Sequence, residues 1–119
     1  MPNPIIHVEL QTQDPDQARA FYARLFDWTV QDVPGMDYVM IVVGEGTGGG
    51  IMKARQPDTP SQWIPFMAVD DVEAATQKAR ALGATIVKGP AEAPGYGWYS
   101  VVVDPTGATF GMWKPSRRA

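Results

Sequence analysis

The 119-residue sequence contains no cysteine and only one histidine, His7. Without cysteine the chain has no disulfide, no zinc–thiolate site and no thiol nucleophile. A chain of this length, 45% of it hydrophobic, buries about two-thirds of its unfolded surface, so residues 1–119 are expected to fold as one domain without cross-links. Any metal binding or acid–base chemistry near neutral pH therefore depends on His7 and on carboxylates.

Long apolar runs and dense positive charge are also missing. No stretch approaches the roughly 18 apolar residues of a membrane span, and the N-terminus lacks the basic and apolar segments of a signal peptide. The formal net charge is −3, and the one dense basic cluster is Arg117-Arg118. We therefore expect a cytoplasmic protein that partners neither a membrane nor nucleic acid.

The first half of the chain predicts a strand, a helix and then three strands. Ile5–Gln11 alternates apolar with polar residues, as a strand with two different faces does. Asp14-Pro15 predicts a helix start, with Gln17 placed to close a capping box. The helix is expected to bury one stripe, formed by Ala18, Phe21, Tyr22 and Leu25. Strands are predicted over residues 28–33, 38–43 and 51–53, with a glycine-rich hairpin at 44–50.

The second half repeats the same order. A strand over residues 63–69 precedes a helix that Asp71 caps and Gly83 ends. Its predicted apolar stripe is Val72, Ala75, Ala79 and Leu82. Strands are expected at 85–88, 98–103 and 109–113, with a loop at 92–97 and a turn at 104–107. The repeat predicts an α+β fold with module one at residues 4–55, a linker at 56–62 and module two at 63–115.

Short motifs in both halves resemble the vicinal oxygen chelate superfamily, which includes glyoxalase I, extradiol dioxygenases and bleomycin-binding proteins. In module one they are His7–Leu10, Asp14–Pro15, Ala20–Tyr22 and Leu25–Trp28. In module two they are Val69–Val72, Leu82–Ala84, Pro94–Gly97 and Asp104–Gly107. The resemblance implies two tandem βαβββ modules, each a curled mixed sheet with a helix on its convex face, around a cup-shaped cavity. It also implies a homodimer.

The resemblance further implies where metal ligands would lie. The superfamily's metal enzymes use the first and last strands of each module, and those positions fall on His7, Ile64, Gly50 and Gly111. Of these four residues only His7 can bind a metal, and Glu9 adds at most one carboxylate from the same face of its strand. Because catalytic sites of this kind use about three protein ligands, we expect neither a metal nor another cofactor.

Alternation along the strands assigns the rest of the cavity lining. If His7 faces the cavity, Glu9 and Gln11 face it too, whereas Val8 and Leu10 pack under the helix. His7 and Glu9 are the candidate catalytic residues. The predicted ligand-binding residues are Gln11, Gly50, Met52, Ile64, Phe66, Tyr99, Gly111 and Trp113. Gly50 and Gly111 are expected to leave open space for a ligand.

Three classes of function fit this reading. The first is a protein that binds or sequesters a small, partly apolar organic molecule in the cavity between the modules, without a catalytic metal. The second is a metal-independent lyase or isomerase with His7 and Glu9 as an acid–base pair. The third is an accessory domain with a vestigial cavity. A metal-dependent glyoxalase or dioxygenase is a further alternative.

Overall fold

The computed structural model describes residues 2–116, so Arg117-Arg118 lies outside the described residues. Its elements are β1 (Ile5–Thr12), α1 (Pro15–Leu25), β2 (Thr29–Asp32), β3 (Val39–Val42), β4 (Gly49–Lys53), β5 (Gln62–Ala68), α2 (Val72–Ala81), β6 (Thr85–Ala93), β7 (Gly97–Val103) and β8 (Thr109–Pro115). The predicted α+β class and the repeated βαβββ order are confirmed. Within residues 2–116, neither helix is long and apolar enough to cross a membrane.

The chain divides into two compact units, which are described separately. The N-terminal unit comprises residues 6–64, and the described part of the C-terminal unit comprises residues 65–116 together with residues 2–5. In the N-terminal unit the strands lie in the order β2-β3-β4-β1. β1 is parallel to β4, whereas the other neighbours are antiparallel. A helical crossover between parallel strands explains why α1 covers one face of this sheet.

The core of the N-terminal unit lies between α1 and that sheet. Leu10, Ile41 and Ile51 are buried together, one from each of three neighbouring strands. Ala18 and Tyr22 of α1 pack against them. The prediction that Leu10 packs under the helix is therefore confirmed.

The start of α1 matches the sequence expectation in one respect and departs from it in another. The Asp14 carboxylate accepts a hydrogen bond from the backbone N–H of Gln17 at 3.1 Å, as an N-cap does. The predicted capping box is wrong, because the backbone N–H of Asp14 donates to the hydroxyl of Thr12 at 3.3 Å and not to Gln17. Thr12 lies two residues before the cap, and its hydroxyl satisfies the donor locally.

The predicted stripe of α1 is half wrong. Ala18 and Tyr22 face the core, but Phe21 and Leu25 are each 56% exposed. The ring of Tyr22 packs against two indoles, with ring centroids 5.8 Å from Trp28 and 5.4 Å from Trp63. The buried side of the helix is thus the row of Ala18 and Tyr22, and the neighbouring row of Phe21 and Leu25 is exposed.

The C-terminal unit repeats the arrangement with strand order β5-β8-β7-β6, in which β5 and β8 are parallel. Asp71 caps α2 through the N–H of Ala74 at 3.0 Å, and Gly83 follows the helix with a φ of 106°. Both predicted helix boundaries are confirmed.

The stripe of α2 differs from its prediction at two residues. Val72 is buried as expected, but Leu82 is 70% exposed, since it lies past the last turn of the helix. The buried row contains Thr76 instead. The Thr76 hydroxyl donates to the carbonyl of Val72 at 2.6 Å and lies 2.9 Å from the hydroxyl of Ser100. A hydroxyl with these two partners can be buried at little cost, which hydrophobic periodicity does not reveal.

The strand predicted at residues 85–88 is longer than expected. β6 continues to Ala93, and its pairing with β7 shifts register on both sides of Lys88. The predicted loop at 92–97 therefore shrinks to residues 94–96, because Glu92 and Gly97 both pair within the sheet. β6 is an edge strand, where irregular pairing accommodates Pro90 without breaking the sheet.

Candidate functional site

The polar residues of β1 lie on the face of the N-terminal sheet opposite α1. Leu10 faces the helix, so the alternating residues His7, Glu9 and Gln11 face the other way. In the parallel pairing of β1 with β4, Glu9 lies opposite Gly50 and Gln11 lies opposite Met52. Five of the predicted site residues are thus brought to one surface of this unit.

A sixth residue, Tyr38, connects two of the side chains on this surface. Its hydroxyl lies 2.8 Å from Nε2 of His7 and donates to Oε1 of Glu9 at 2.9 Å. The side-chain amide of Gln11 donates to Oε2 of Glu9 at 2.7 Å. We call these four residues, His7, Tyr38, Glu9 and Gln11, the Tyr38 network.

The chemistry of the groups fixes the direction of the hydrogen bonds. An ionised Glu9 only accepts, so the single hydroxyl hydrogen of Tyr38 points to its carboxylate. His7 must then donate its Nε2 hydrogen to the oxygen of Tyr38. The network therefore requires a hydrogen on Nε2 of His7, and among the neutral tautomers only the one with hydrogen on Nε2 fits.

Burial keeps His7 neutral at physiological pH. Removal of the imidazole from water disfavours its charged form and lowers the pKa of His7 from 6.5 to about 4. Glu9 and Gln11 are buried as well. A buried carboxylate needs hydrogen-bond donors, and Tyr38 and Gln11 supply one to each oxygen.

The predicted open space at Gly50 does not exist. A Cβ built on Gly50 would overlap the ring and hydroxyl of Tyr38. In the C-terminal unit a Cβ on Gly111 would likewise overlap the ring of Phe66, which lies opposite it in the β5–β8 pairing. The expectation that these glycines leave room for a ligand is wrong, because an aromatic ring fills each space.

The same observation tests the metal site that the superfamily implies. A carboxylate at position 50 could not coexist with the Tyr38 ring, and Nε2 of His7 is bonded to the Tyr38 hydroxyl. In the part of the chain that the structure describes, no three His, Asp or Glu side chains lie close enough to hold a metal ion together. The residues present do not fit a divalent metal.

Within the N-terminal unit, Met52 is half-buried opposite Gln11, and Ile64 is buried. Phe66, Tyr99, Gly111 and Trp113 lie in the C-terminal unit. There Tyr99 lies opposite Trp113 in the β7–β8 pairing, and the indole N–H of Trp113 donates to the carbonyl of Tyr96 at 3.2 Å.

Tyr38 is the residue that sequence reasoning missed. It lies just before β3, and the sequence predicts only that it belongs to a strand. The pairing register of β3 with β4 would have indicated it. Met40 pairs with Gly50, so Tyr38 lies two residues away on the neighbouring strand, where a long side chain reaches diagonally over a glycine.

An apolar groove of 260 Å³ lies elsewhere in the N-terminal unit, on the face that carries α1. Its lining residues are Val8, Trp28, Ile41, Val43, Thr47, Gly48, Gly49 and Trp63. The rings of Trp28 and Trp63 meet edge to face with centroids 6.5 Å apart. Tryptophan fluorescence of these two residues therefore reports on the groove and not on the Tyr38 network.

Comparisons with known proteins agree with this fold. The Glyoxalase/Bleomycin resistance protein/Dioxygenase superfamily matches residues 5–112. CFP32 of Mycobacterium tuberculosis, provisionally named a glyoxylase, is 36% identical over 115 residues, covering 94% of this chain and 44% of that protein. The anthracycline biosynthesis protein DnrV of Streptomyces peucetius is 27% identical over 123 residues, covering 89% and 45%. The chain thus spans about half the length of these relatives.

Solved structures show the same fold at low sequence identity. Methylmalonyl-CoA epimerase from Mycobacterium tuberculosis superposes with a TM-score of 0.70 at 15% identity, covering 95% of this chain and 88% of that one. A hypothetical protein from Bacillus halodurans gives a TM-score of 0.67 at 11% identity, covering 100% and 99%. Together with the match over residues 5–112, the repeated βαβββ order shows that the chain belongs to the Glyoxalase/Bleomycin resistance protein/Dioxygenase superfamily.

Proposed function

We propose that this protein binds a small, partly apolar organic molecule at the Tyr38 network and that it does so without a catalytic metal. The observation that carries the proposal is the position of Tyr38, which fills the space above Gly50 and bonds both His7 and Glu9. A tyrosine thus stands where a metal enzyme of this superfamily would need a ligand.

The network suits recognition because its geometry is fixed before a ligand arrives. Glu9 is held by two donors, and the imidazole of His7 lies nearly parallel to the Tyr38 ring, with an interplanar angle of 20°. Preorganised polar groups lose little entropy on binding. Met52, half-buried on the same face, supplies apolar surface that adapts to different shapes.

A metal-independent lyase or isomerase is the second candidate. His7, Tyr38 and Glu9 form a relay in which a neutral imidazole is oriented by a hydroxyl and a carboxylate, as acid–base sites require. The pKa of His7 argues against this candidate. A base with a pKa of about 4 is far weaker than the near-neutral base that works best at pH 7. Binding is therefore the preferred proposal.

The test uses the single histidine as a reporter. A fragment library of small aromatic and amphipathic molecules is screened against metal-free protein by NMR, with the His7 imidazole as the observed signal. An anthracycline belongs in the panel, because one relative is named for anthracycline biosynthesis. Ligands should shift the NMR signals of His7 in the presence of EDTA. Tyr38→Phe should lower the affinity for these ligands by about tenfold.

A matched control and two contrary results complete the design. Tyr22→Phe removes a hydroxyl from the same unit without touching the network, so it should leave affinity unchanged. Ligands that bind without disturbing His7, or only after zinc is added, would contradict the proposal. Turnover of a bound carbon acid that is lost in His7→Gln would instead support the lyase or isomerase.

A further inference from the structure

Arg55 carries an unsatisfied donor. Its Nη1 is the one buried side-chain nitrogen or oxygen in residues 2–116 that lacks a hydrogen-bond partner. A guanidinium stays protonated in proteins and offers only donors. Arg55 therefore cannot remove the unsatisfied donor by losing a proton, and it cannot accept a hydrogen bond instead. A buried charged donor without an acceptor is unfavourable, and an acceptor that fills this position is correspondingly favoured.

The backbone around Arg55 is fixed. The N–H of Ala54 donates to the carbonyl of Thr12 at 2.8 Å, which ties the preceding residue to the end of β1. The side-chain amide of Gln13 donates to the carbonyls of Gln56 and Thr59 at 2.8 and 3.0 Å. The backbone on both sides of Arg55 is therefore held, which fixes the position from which its side chain extends.

Among the residues that the structure describes, no carboxylate forms an ion pair with Arg55. The ion pair found among residues 2–116 is Arg19–Asp32, at 2.9 Å, and it does not involve Arg55. Lys53 adds a second positive charge two residues earlier, and its ammonium donates to the carbonyl of Gln13 at 2.9 Å. A protein with a net charge of −3 thus carries two basic residues two positions apart here, and neither forms an ion pair within residues 2–116.

We propose that Arg55 binds an oxyanion, either the carboxylate or the phosphate of a small molecule. Guanidinium matches the oxygens of both groups in shape and charge, and it does so better than an ammonium. The proposal is independent of the Tyr38 network, because it depends on the unsatisfied Nη1 of Arg55 and on no residue of that network.

Thermal denaturation tests the proposal. The wild-type protein is melted in sodium chloride, sodium acetate or sodium phosphate at equal ionic strength and pH. We expect acetate or phosphate to raise Tm by about 2–5 °C over chloride and to saturate in the millimolar range. The anion with the larger shift identifies a carboxylate or a phosphate as the natural group.

Three variants separate binding from other roles. Arg55→Met should melt at or above the wild-type Tm in chloride, because it removes the unsatisfied donor, and it should not respond to either anion. Arg55→Gln should also lose the response. Arg80→Met removes the same charge from an exposed position on α2 and should keep the full response.

Three results would overturn the proposal. The first is an equal Tm in all three salts, and the second is a response that Arg80→Met loses as fully as Arg55→Met. The third is a lower Tm for both Arg55→Met and Arg55→Gln in chloride, which would show that Arg55 stabilises the fold and is not an unsatisfied donor.

Discussion

The phenol ring of Tyr38 occupies the space that a side chain at Gly50 would need. This relationship links a small residue on β4 to a large one before β3, and it places the Tyr38 hydroxyl between His7 and Glu9. The Tyr38 ring fits at this position only because residue 50 has no side chain. The pair therefore behaves as one structural unit, which a double-mutant cycle can measure.

Gly50→Ala should destabilise the protein by about 1–3 kcal/mol, because the added methyl group displaces the Tyr38 ring and its hydrogen bonds. In a Tyr38→Ala background the same substitution should cost less than about 0.5 kcal/mol, since the obstructing ring is gone. Denaturant unfolding of the four proteins measures the coupling. Gly111→Ala is the control. Its methyl group meets Phe66, so its cost should persist in the Tyr38→Ala background.

The single histidine should make stability depend on pH. The pKa of His7 is lowered by burial from 6.5 to about 4, so between these values the unfolded chain binds more protons than the folded one. The free energy of unfolding should be fully retained above pH 6.5 and should fall by up to about 3 kcal/mol as the pH approaches 4. His7→Gln keeps an N–H donor for Tyr38 but cannot titrate, so it should lack this component. Parallel pH profiles for both proteins would contradict the assignment.

Added metal should leave the protein unchanged. Zinc, nickel or ferrous iron stabilises a folded protein only where the native state binds it more tightly than the unfolded chain does. With Tyr38 bonded to His7 and no carboxylate at position 50, we expect no rise in Tm and no stoichiometric ion by elemental analysis. One tightly held metal per chain in purified protein would refute this expectation.

Exposed apolar residues on and after α1 continue to predict a homodimer. Phe21, Leu25 and Phe26 all present apolar surface, which is more than scattered single residues would give. Light scattering should report twice the chain mass at micromolar concentration, and Phe21→Lys combined with Leu25→Lys should yield a monomer. Leu82→Lys, at a still more exposed position on the C-terminal unit, is the control. A wild-type monomer at every concentration would show that the prediction is wrong.

The fold could be predicted from the sequence because helix caps and strand alternation are local patterns. Asp14 and Asp71 each mark a helix start, and alternation along β1 correctly separates Leu10 from Glu9. Burial of Thr76 was not accessible, since it depends on a hydroxyl of another strand, Ser100. Local pattern thus predicts elements and their faces, whereas pairing between polar groups decides the exceptions.

The candidate site could be predicted only in part, because contacts between strands are not visible in the sequence. His7, Glu9 and Gln11 share a face through strand alternation, which the sequence displays. Tyr38 joins them through a diagonal contact across two strands, which depends on register and on the absence of a side chain at Gly50. The unsatisfied Nη1 of Arg55 could not be predicted, because the sequence does not distinguish a buried arginine donor from a solvated one.

The central claim is that His7 is committed to a network within the protein and not to a metal. The most direct test is the nitrogen NMR spectrum of its imidazole, which is unambiguous because the chain has one histidine. We predict a neutral ring with hydrogen on Nε2, a titration midpoint near pH 4, and no change when zinc is added. A midpoint near 6.5, or a zinc-dependent loss of the Nε2 hydrogen, would contradict the account.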